Sequence, residues 1–276
     1  MLSLSRSLSL SLVLAAASPA LACGPTVFFN TYNNGFFTPF SSATPAGVRY
    51  GDSGWFGSGN ELPADLCEIR LTLAVFNSTR VGSTDITFTF NDGDPSRFVF
   101  GSGDPLYSVT IEDVVLPDAT QNAGLSTFEL VVPLPGVRTR GGFQNFGWSI
   151  GINNFDSDGQ FGFLCSRSTG QTLGFYTNNA AFFDGTSWSL FSFGPDPVTG
   201  VANFLAELSL FGCDDIDFNN NGVFPEDQDV IDFFDVLAGG SRPACNDIDF
   251  NNNGVFPEDQ DVVDFFNTLA GGACPQ

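Results

Sequence analysis

The sequence predicts a mostly β protein: an antiparallel β-sandwich of jelly-roll-like type, followed by a small α-helical pair of loop-helix units. Three observations lead there. Apolar and polar residues alternate with a period of two in short runs across residues 23–210, Gly- and Asp-rich turns separate those runs, and beyond Phe211 the unit 213–244 is repeated over 245–276.

The first 22 residues, MLSLSRSLSLSLVLAAASPALA, carry one Arg, then an apolar run, then Ala20-Leu21-Ala22. That pattern reads as a cleavable export signal, with the mature chain starting at Cys23. A Cys directly after the cut also admits a lipid-modified Cys23, although a lipobox would place Leu at position 20. No later apolar run is long enough to span a bilayer. The expected location is secreted, extracellular or at the cell surface, with no transmembrane segment.

The 31 acidic residues outnumber nine basic ones, and the formal net charge is -22. Such a chain repels phosphate backbones and anionic lipid, which excludes nucleic acid as a partner and favours cations. Six cysteines, Cys23, Cys67, Cys165, Cys213, Cys245 and Cys274, are disulfide candidates in an oxidising compartment, and their spacing leaves the pairing open.

Within LCEIRLTLAVF, the residues Cys67, Ile69, Leu71, Leu73 and Val75 alternate with Glu68, Arg70 and Thr72. The same period recurs in DITFTF, NFGWSIGI and NFLAELSL, each predicted as a strand, with Trp148 on a buried side. Turn signals such as NDGDP, SGDP, DSDG and FDGT lie between them. The 32 Phe residues are expected to fill the space between sheets. The stretch Asn154 to Gly159 has oxygen donors at alternate positions, but without a following helix it reads as a hairpin turn.

Beyond Phe211 the period changes. Each unit carries an acidic Asn-Gly loop and then a helical stretch, DQDVIDFFDVLAGG or DQDVVDFFNTLAGG. Val230, Phe233, Phe234 and Leu237 are expected to form one apolar helix face, and Gly239 to end the helix. One unit has too little core to stand alone, whereas two can bury their apolar faces against each other.

In the first loop Asp217, Asn219 and Asn221 take positions one, three and five of an EF-hand calcium loop, Gly222 position six, and Val223 offers its carbonyl at seven. Asp249, Asn251, Asn253, Gly254 and Val255 repeat the arrangement. Position twelve is Gln228 or Gln260, so the expected closing carboxylates are Asp229 and Asp261, one place later. Glu226, Asp227, Glu258 and Asp259 are the alternatives. Two carboxylates and two amides per loop suit a weak extracellular site with Kd of ~10⁻⁴ to 10⁻³ M. The expected cofactor is Ca²⁺, one ion per repeat.

This tail resembles a type I dockerin, and more narrowly the Cys-bounded repeats of exported planctomycete-type proteins with the pattern C-x-D-I-D-F-N-N-x-G-x-F-P. The resemblance covers residues 213–276. It implies two calcium sites and a cohesin-like or other cell-surface protein as partner. Dockerins present hydroxyl and basic residues to a cohesin; this chain has Asp227-Gln228 and Asp259-Gln260 there, so calcium binding transfers more directly than cohesin binding.

Gly51-Asp52-Ser53-Gly54 matches a serine-protease nucleophile motif, but the chain has no His to act as base. The glutamates Glu68, Glu129 and Glu207 look like solvent-facing positions on separate strands, which argues against paired-carboxylate catalysis. Tyr50, Trp55 and Phe56 lie in RYGDSGWFGSG, a Gly-rich and loop-like stretch, and are the candidate sugar-binding residues. The expected function is an exported, non-catalytic, calcium-binding protein whose tail mediates attachment or assembly and whose sandwich binds polysaccharide. A calcium-stabilised surface or matrix protein is the alternative, and a polysaccharide-acting enzyme the second.

Overall fold

The computed structural model describes residues 11–12, 23–57, 66–120, 124–138, 145–242, 245–252 and 255–272. Along the chain the strands begin with β1 (Ser11–Leu12), β2 (Cys23–Asn30), β3 (Phe36–Phe40), β4 (Arg49–Trp55) and β5 (Leu66–Phe76). They continue with β6 (Gly82–Gly93), β7 (Gly101–Leu116), β8 (Leu125–Pro133), β9 (Asn145–Asp156) and β10 (Gln160–Ser166). Short strands β11 (Gln171–Leu173), β12 (Phe175–Tyr176), β13 (Ala180–Phe183), β14 (Trp188–Phe191) and β15 (Asn203–Phe204) precede β16 (Ala206–Phe211). Two helices close the chain, α1 (Asp227–Leu237) and α2 (Asp259–Leu269).

The described strands form two sheets. One runs β1-β8-β5-β16-β2-β11, with β10 joining β5, β3 and β15; the other runs β14-β13-β4-β9-β6-β7, with β12 on β4. Every pairing is antiparallel except that of β1 with β8. The period-two alternation explains the layering. Ile69, Leu71 and Leu73 of β5 and Phe128 and Leu130 of β8 face inward from one sheet, and Ile86 and Phe88 of β6 and Phe146, Trp148 and Ile150 of β9 from the other, into one shared core.

The nine-stranded sheet forks at β5. Residues 66–71 pair with β16, whereas residues 73–76 pair with β10. The run NFLAELSL is therefore two strands rather than the single one expected, because Asn203 and Phe204 pair with β10 before the chain swings to β5. Leu205 bridges the fork: its N–H donates to Leu164 O at 3.0 Å, and its carbonyl accepts from Thr72 N at 3.3 Å. The buried Asn30 amide stands in for a missing peptide, donating to Phe204 O and accepting from Ala206 N, each at 2.9 Å.

The stretch RYGDSGW is not a loop; it is β4, inside the seven-stranded sheet between β9 and β13. Its glycines mark crowding. A Cβ at Gly51 would sit 1.9 Å from Trp148 O and one at Gly54 2.4 Å from Phe175 O. Asp52 points inward and is fully buried, where its carboxylate accepts from Ser53 N at 2.8 Å and, across to the other sheet, from Phe204 N at 3.0 Å. Burial holds this carboxyl well above the ordinary range.

Cys23 is bonded to Cys67, which joins the start of β2 to β5. Its sulfur is thus committed, so the lipid-modified Cys23 is ruled out in this fold. Cys213 is also disulfide-bonded. Three disulfides are not formed: Cys165 and Cys245 are free. Cys165 faces the core from β10, and burial pushes its thiol up to about 12. Cys274 lies outside the described residues. Asn154 to Gly159 is not the expected hairpin turn: residues 154–156 end β9, and 157–159 carry the chain across to β10 in the other sheet, with Asp156 paired with Arg80 and Asp158 accepting from Ser78 and Thr79.

The tail has its own small core of Phe218, Phe233, Ile248, Phe250 and Phe265. Phe233 and Phe265, one from each helix, stack at 4.2 Å with an interplanar angle of 7°. Phe234 departs from the expected apolar face. It is 43% exposed, because the buried arc of α1 centres on Asp229, Asp232 and Phe233. Gly239 ends the helix at φ +88°, its N–H donating to Val236 O at 2.8 Å.

Candidate metal centre

Asx turns build the first loop. Asp217 Oδ1 accepts from Asn221 N at 3.0 Å and its Oδ2 from Gly222 N at 2.7 Å, while Asn219 Oδ1 accepts from Asn221 N at 3.1 Å. Asn221 Oδ1 accepts from Val223 N at 2.7 Å. The reversal needs a left-handed backbone at Asn220 (φ +57°) and Gly222 (φ +81°), which Asn and Gly tolerate. Side chains at alternate positions thus turn to the same side, as their spacing requires.

The closing carboxylate comes from the helix. Asp229 is three residues beyond the N-cap Glu226, and its Oδ2 accepts from Glu226 N at 3.2 Å in a capping box. That bond turns Asp229 back over the loop, where Oδ1 faces Asn219 N at 3.4 Å. Asp229 is fully buried, whereas Asp227 is exposed and points away. Glu226 Oε1 reaches the Asn219 and Asn221 amides, at 3.4 and 2.5 Å. Asp217 and Asp229 thus accept from the backbone of residues 219–222, and Glu226 from the Asn219 and Asn221 amides.

The second loop repeats this build with one informative difference. Asp261 Oδ2 accepts from Glu258 N at 3.1 Å, and Asn251 donates its amide to Asp264 at 2.9 Å. Asp261 is fully buried, and its Oδ1 makes no full hydrogen bond, the Asn251 backbone N–H being the donor that faces the carboxylate. Burial, with the charges of Asp249 and Glu258 added, pushes the Asp261 carboxyl up to about 6. A buried carboxylate oxygen without a full hydrogen bond is costly unless a cation balances it. Asn253 and Gly254 lie outside the described residues; Val223 and Val255 are exposed in their loops.

Among the described residues no three Asp, Glu or Cys side chains make a metal cluster by themselves. The loops instead mix acids with amide oxygens, a hard-oxygen donor set that fits calcium and not a thiolate- or imidazole-seeking metal. Reciprocal contacts tie the two loops together. Asp214 N donates to Phe250 O at 2.8 Å and Asn246 N to Phe218 O at 2.9 Å, while Asn220 and Asn252 donate to Asn246 and Asp214, each at 2.9 Å.

The sugar-binding candidates do not gather. Tyr50 faces inward from β4 and packs against Phe37, Phe40 and Phe182; Phe56 is 7% exposed and stacks on Phe146 at 5.0 Å. Alternation along β4 sends Trp55 to the opposite face, where it lies against Phe100 at 4.1 Å and Phe175 at 4.7 Å. Sequence reasoning missed those two partners, because nothing local links residues 55, 100 and 175.

Glu68, Glu129 and Glu207 are on separate strands as expected, yet they meet at Arg70. Arg70 pairs with Glu68 at 2.5 Å and Glu129 at 3.4 Å, and Glu207 lies directly across the β5/β16 pairing from it. Among the described residues no helix is long and apolar enough to cross a membrane. Comparison with protein-family models, curated proteins and solved structures returned no match.

Proposed function

We propose that the chain is an exported, non-catalytic protein whose two C-terminal loop-helix units each take a calcium ion and, so ordered, attach a jelly-roll-type sandwich to a cohesin-like or cell-surface protein. The observation that carries the reading is the buried carboxylate of Asp261, whose Oδ1 lacks a full hydrogen bond in a loop of acids and amides. Asp217, Asn219, Asn221, Glu226 and Asp229 would hold one ion; Asp249, Asn251, Glu258 and Asp261 would contribute to the other. The ion supplies the positive charge that the crowded carboxylates lack.

Attachment is supported by an apolar patch across both helices. Ile231, Phe234, Val263 and Phe266 are 40–55% exposed, and the Phe234 and Phe266 rings meet at 5.9 Å. Exposed Asp227, Asp235 and Asp259 flank it, so the complementary partner surface is apolar with a basic rim. Calorimetric titration of the full chain with calcium chloride tests the reading. Two binding events with Kd of ~10⁻⁴ to 10⁻³ M, absent in Asp217→Ala/Asp249→Ala, are expected. Identical melting of the full chain in chelator and in millimolar calcium would refute it.

A further inference from the structure

A second site lies on the outer face of the nine-stranded sheet. A cleft of about 200 Å³ opens where β5 changes partner from β16 to β10, and Phe29, Tyr32, Arg70, Thr72, Glu129 and Glu207 line it. Register places Phe29, Glu207 and Arg70 in one row across β2, β16 and β5, with Glu129 opposite Thr72 on β8. The walls are built rather than accidental. Asn30 pins the fork from behind, and Thr26 donates to Glu207 Oε1 at 2.8 Å, fixing that carboxylate toward the row.

We propose that this cleft binds a neutral saccharide, one ring seated in it and the rest of the polymer lying across the sheet. The groups on display ask for hydroxyls. Beyond the bonds they already share, Glu129 and Glu207 keep lone pairs that can accept and the Arg70 fork keeps N–H groups that can donate, and a sugar hydroxyl is both donor and acceptor at once. Three carboxylates around one guanidinium leave the cleft acidic, which disfavours uronates and other anions. Phe29 and Tyr32, 37% and 47% exposed, offer flat apolar surface beside these polar groups, matching the C–H face of a pyranose ring. A cationic amine would be drawn by the carboxylates alone, so an amino-sugar oligomer is the control that separates charge attraction from hydroxyl recognition. The volume is below the ~300–1,000 Å³ of pockets that enclose a drug-sized ligand, so it suits a single ring.

The site stands apart from the tail and does not depend on its metal. Calorimetric titration of the full chain, with calcium and with chelator, against neutral hexasaccharides of glucose, mannose, galactose and xylose tests it, with hexagalacturonate and hexaglucosamine as charged controls. Binding of at least one neutral probe is expected, weakened about tenfold or more by Phe29→Ala and by the isosteric Glu207→Gln, and unaffected by Trp55→Ala or by chelator. No binding of any neutral probe, binding of the charged probes alone, loss in Trp55→Ala, loss on chelation, or full retention in Glu207→Gln would each overturn it. Unchanged melting of Glu207→Gln separates loss of the ligand from loss of the fold.

Discussion

At the scale of single residues, Asp52 is the group whose charge the fold opposes. Its carboxyl is fully buried and held well above the ordinary value, chiefly by desolvation. As pH rises past about 4 the unfolded chain loses this proton first, so the native state holds more protons and stability falls with rising pH until the native carboxyl also ionises. The urea midpoint should therefore fall as pH rises above about 4, and Asp52→Asn should flatten that fall. Equal slopes in the two proteins would show that Asp52 is already ionised in the native state. None of this was legible beforehand. In the sequence Asp52 sits inside a Gly-Asp-Ser-Gly that suggests a turn, and only the crowding against Trp148 and Phe175 explains why glycine belongs in that strand.

At the scale of elements, the helices were legible in extent and in their glycine stops, but not in which Phe faces inward. Phe233 and Phe234 fit a 3.6-residue stripe equally well; the neighbouring loop chooses, because Asp229 must turn over it and that rotates Phe233 into the core. Phe265→Ala removes the ring that stacks on Phe233 and touches Phe250. It should cost about 3–5 kcal/mol and remove the helical far-ultraviolet signal of both helices, whereas Phe234→Ala should stay within about 0.5 kcal/mol. Similar losses for both variants would mean that Phe234 is buried in solution. The strands fared better where alternation was long, as in LCEIRLTLAVF, and worse where a strand changes neighbour, as at Leu205, since partner exchange leaves no local mark.

At the scale of the whole molecule, two mostly antiparallel sheets and a separate helical pair follow from the change of period at Phe211, and the twin Asn-Gly loops were readable as matching units because a repeat states its spacing twice. The Arg70 cleft was not readable. Its walls come from positions as far apart as Phe29 and Glu207, and only register across β2, β16 and β5 unites them. The bond from Cys23 to Cys67 spans 44 residues and fixes the start of β2. Loop-closure entropy for that separation is worth about 4 kcal/mol, so Cys23→Ala/Cys67→Ala should lose roughly that much in urea unfolding. An unchanged midpoint would mean that strand pairing alone holds β2.

Phe218 sits between two of the first loop's oxygen donors, yet its ring rests against helices from both repeats, at 5.3 Å from Phe233 and 6.1 Å from Phe265. Phe250 does the same from the second loop, at 6.4 and 5.2 Å. Each hairpin of oxygens therefore carries, as its neighbour in the chain, a peg that wedges the opposite helix. On the calcium reading the first ion to arrive would tighten the vacant half as well as its own, and the pair would fill as a unit rather than as two independent cups.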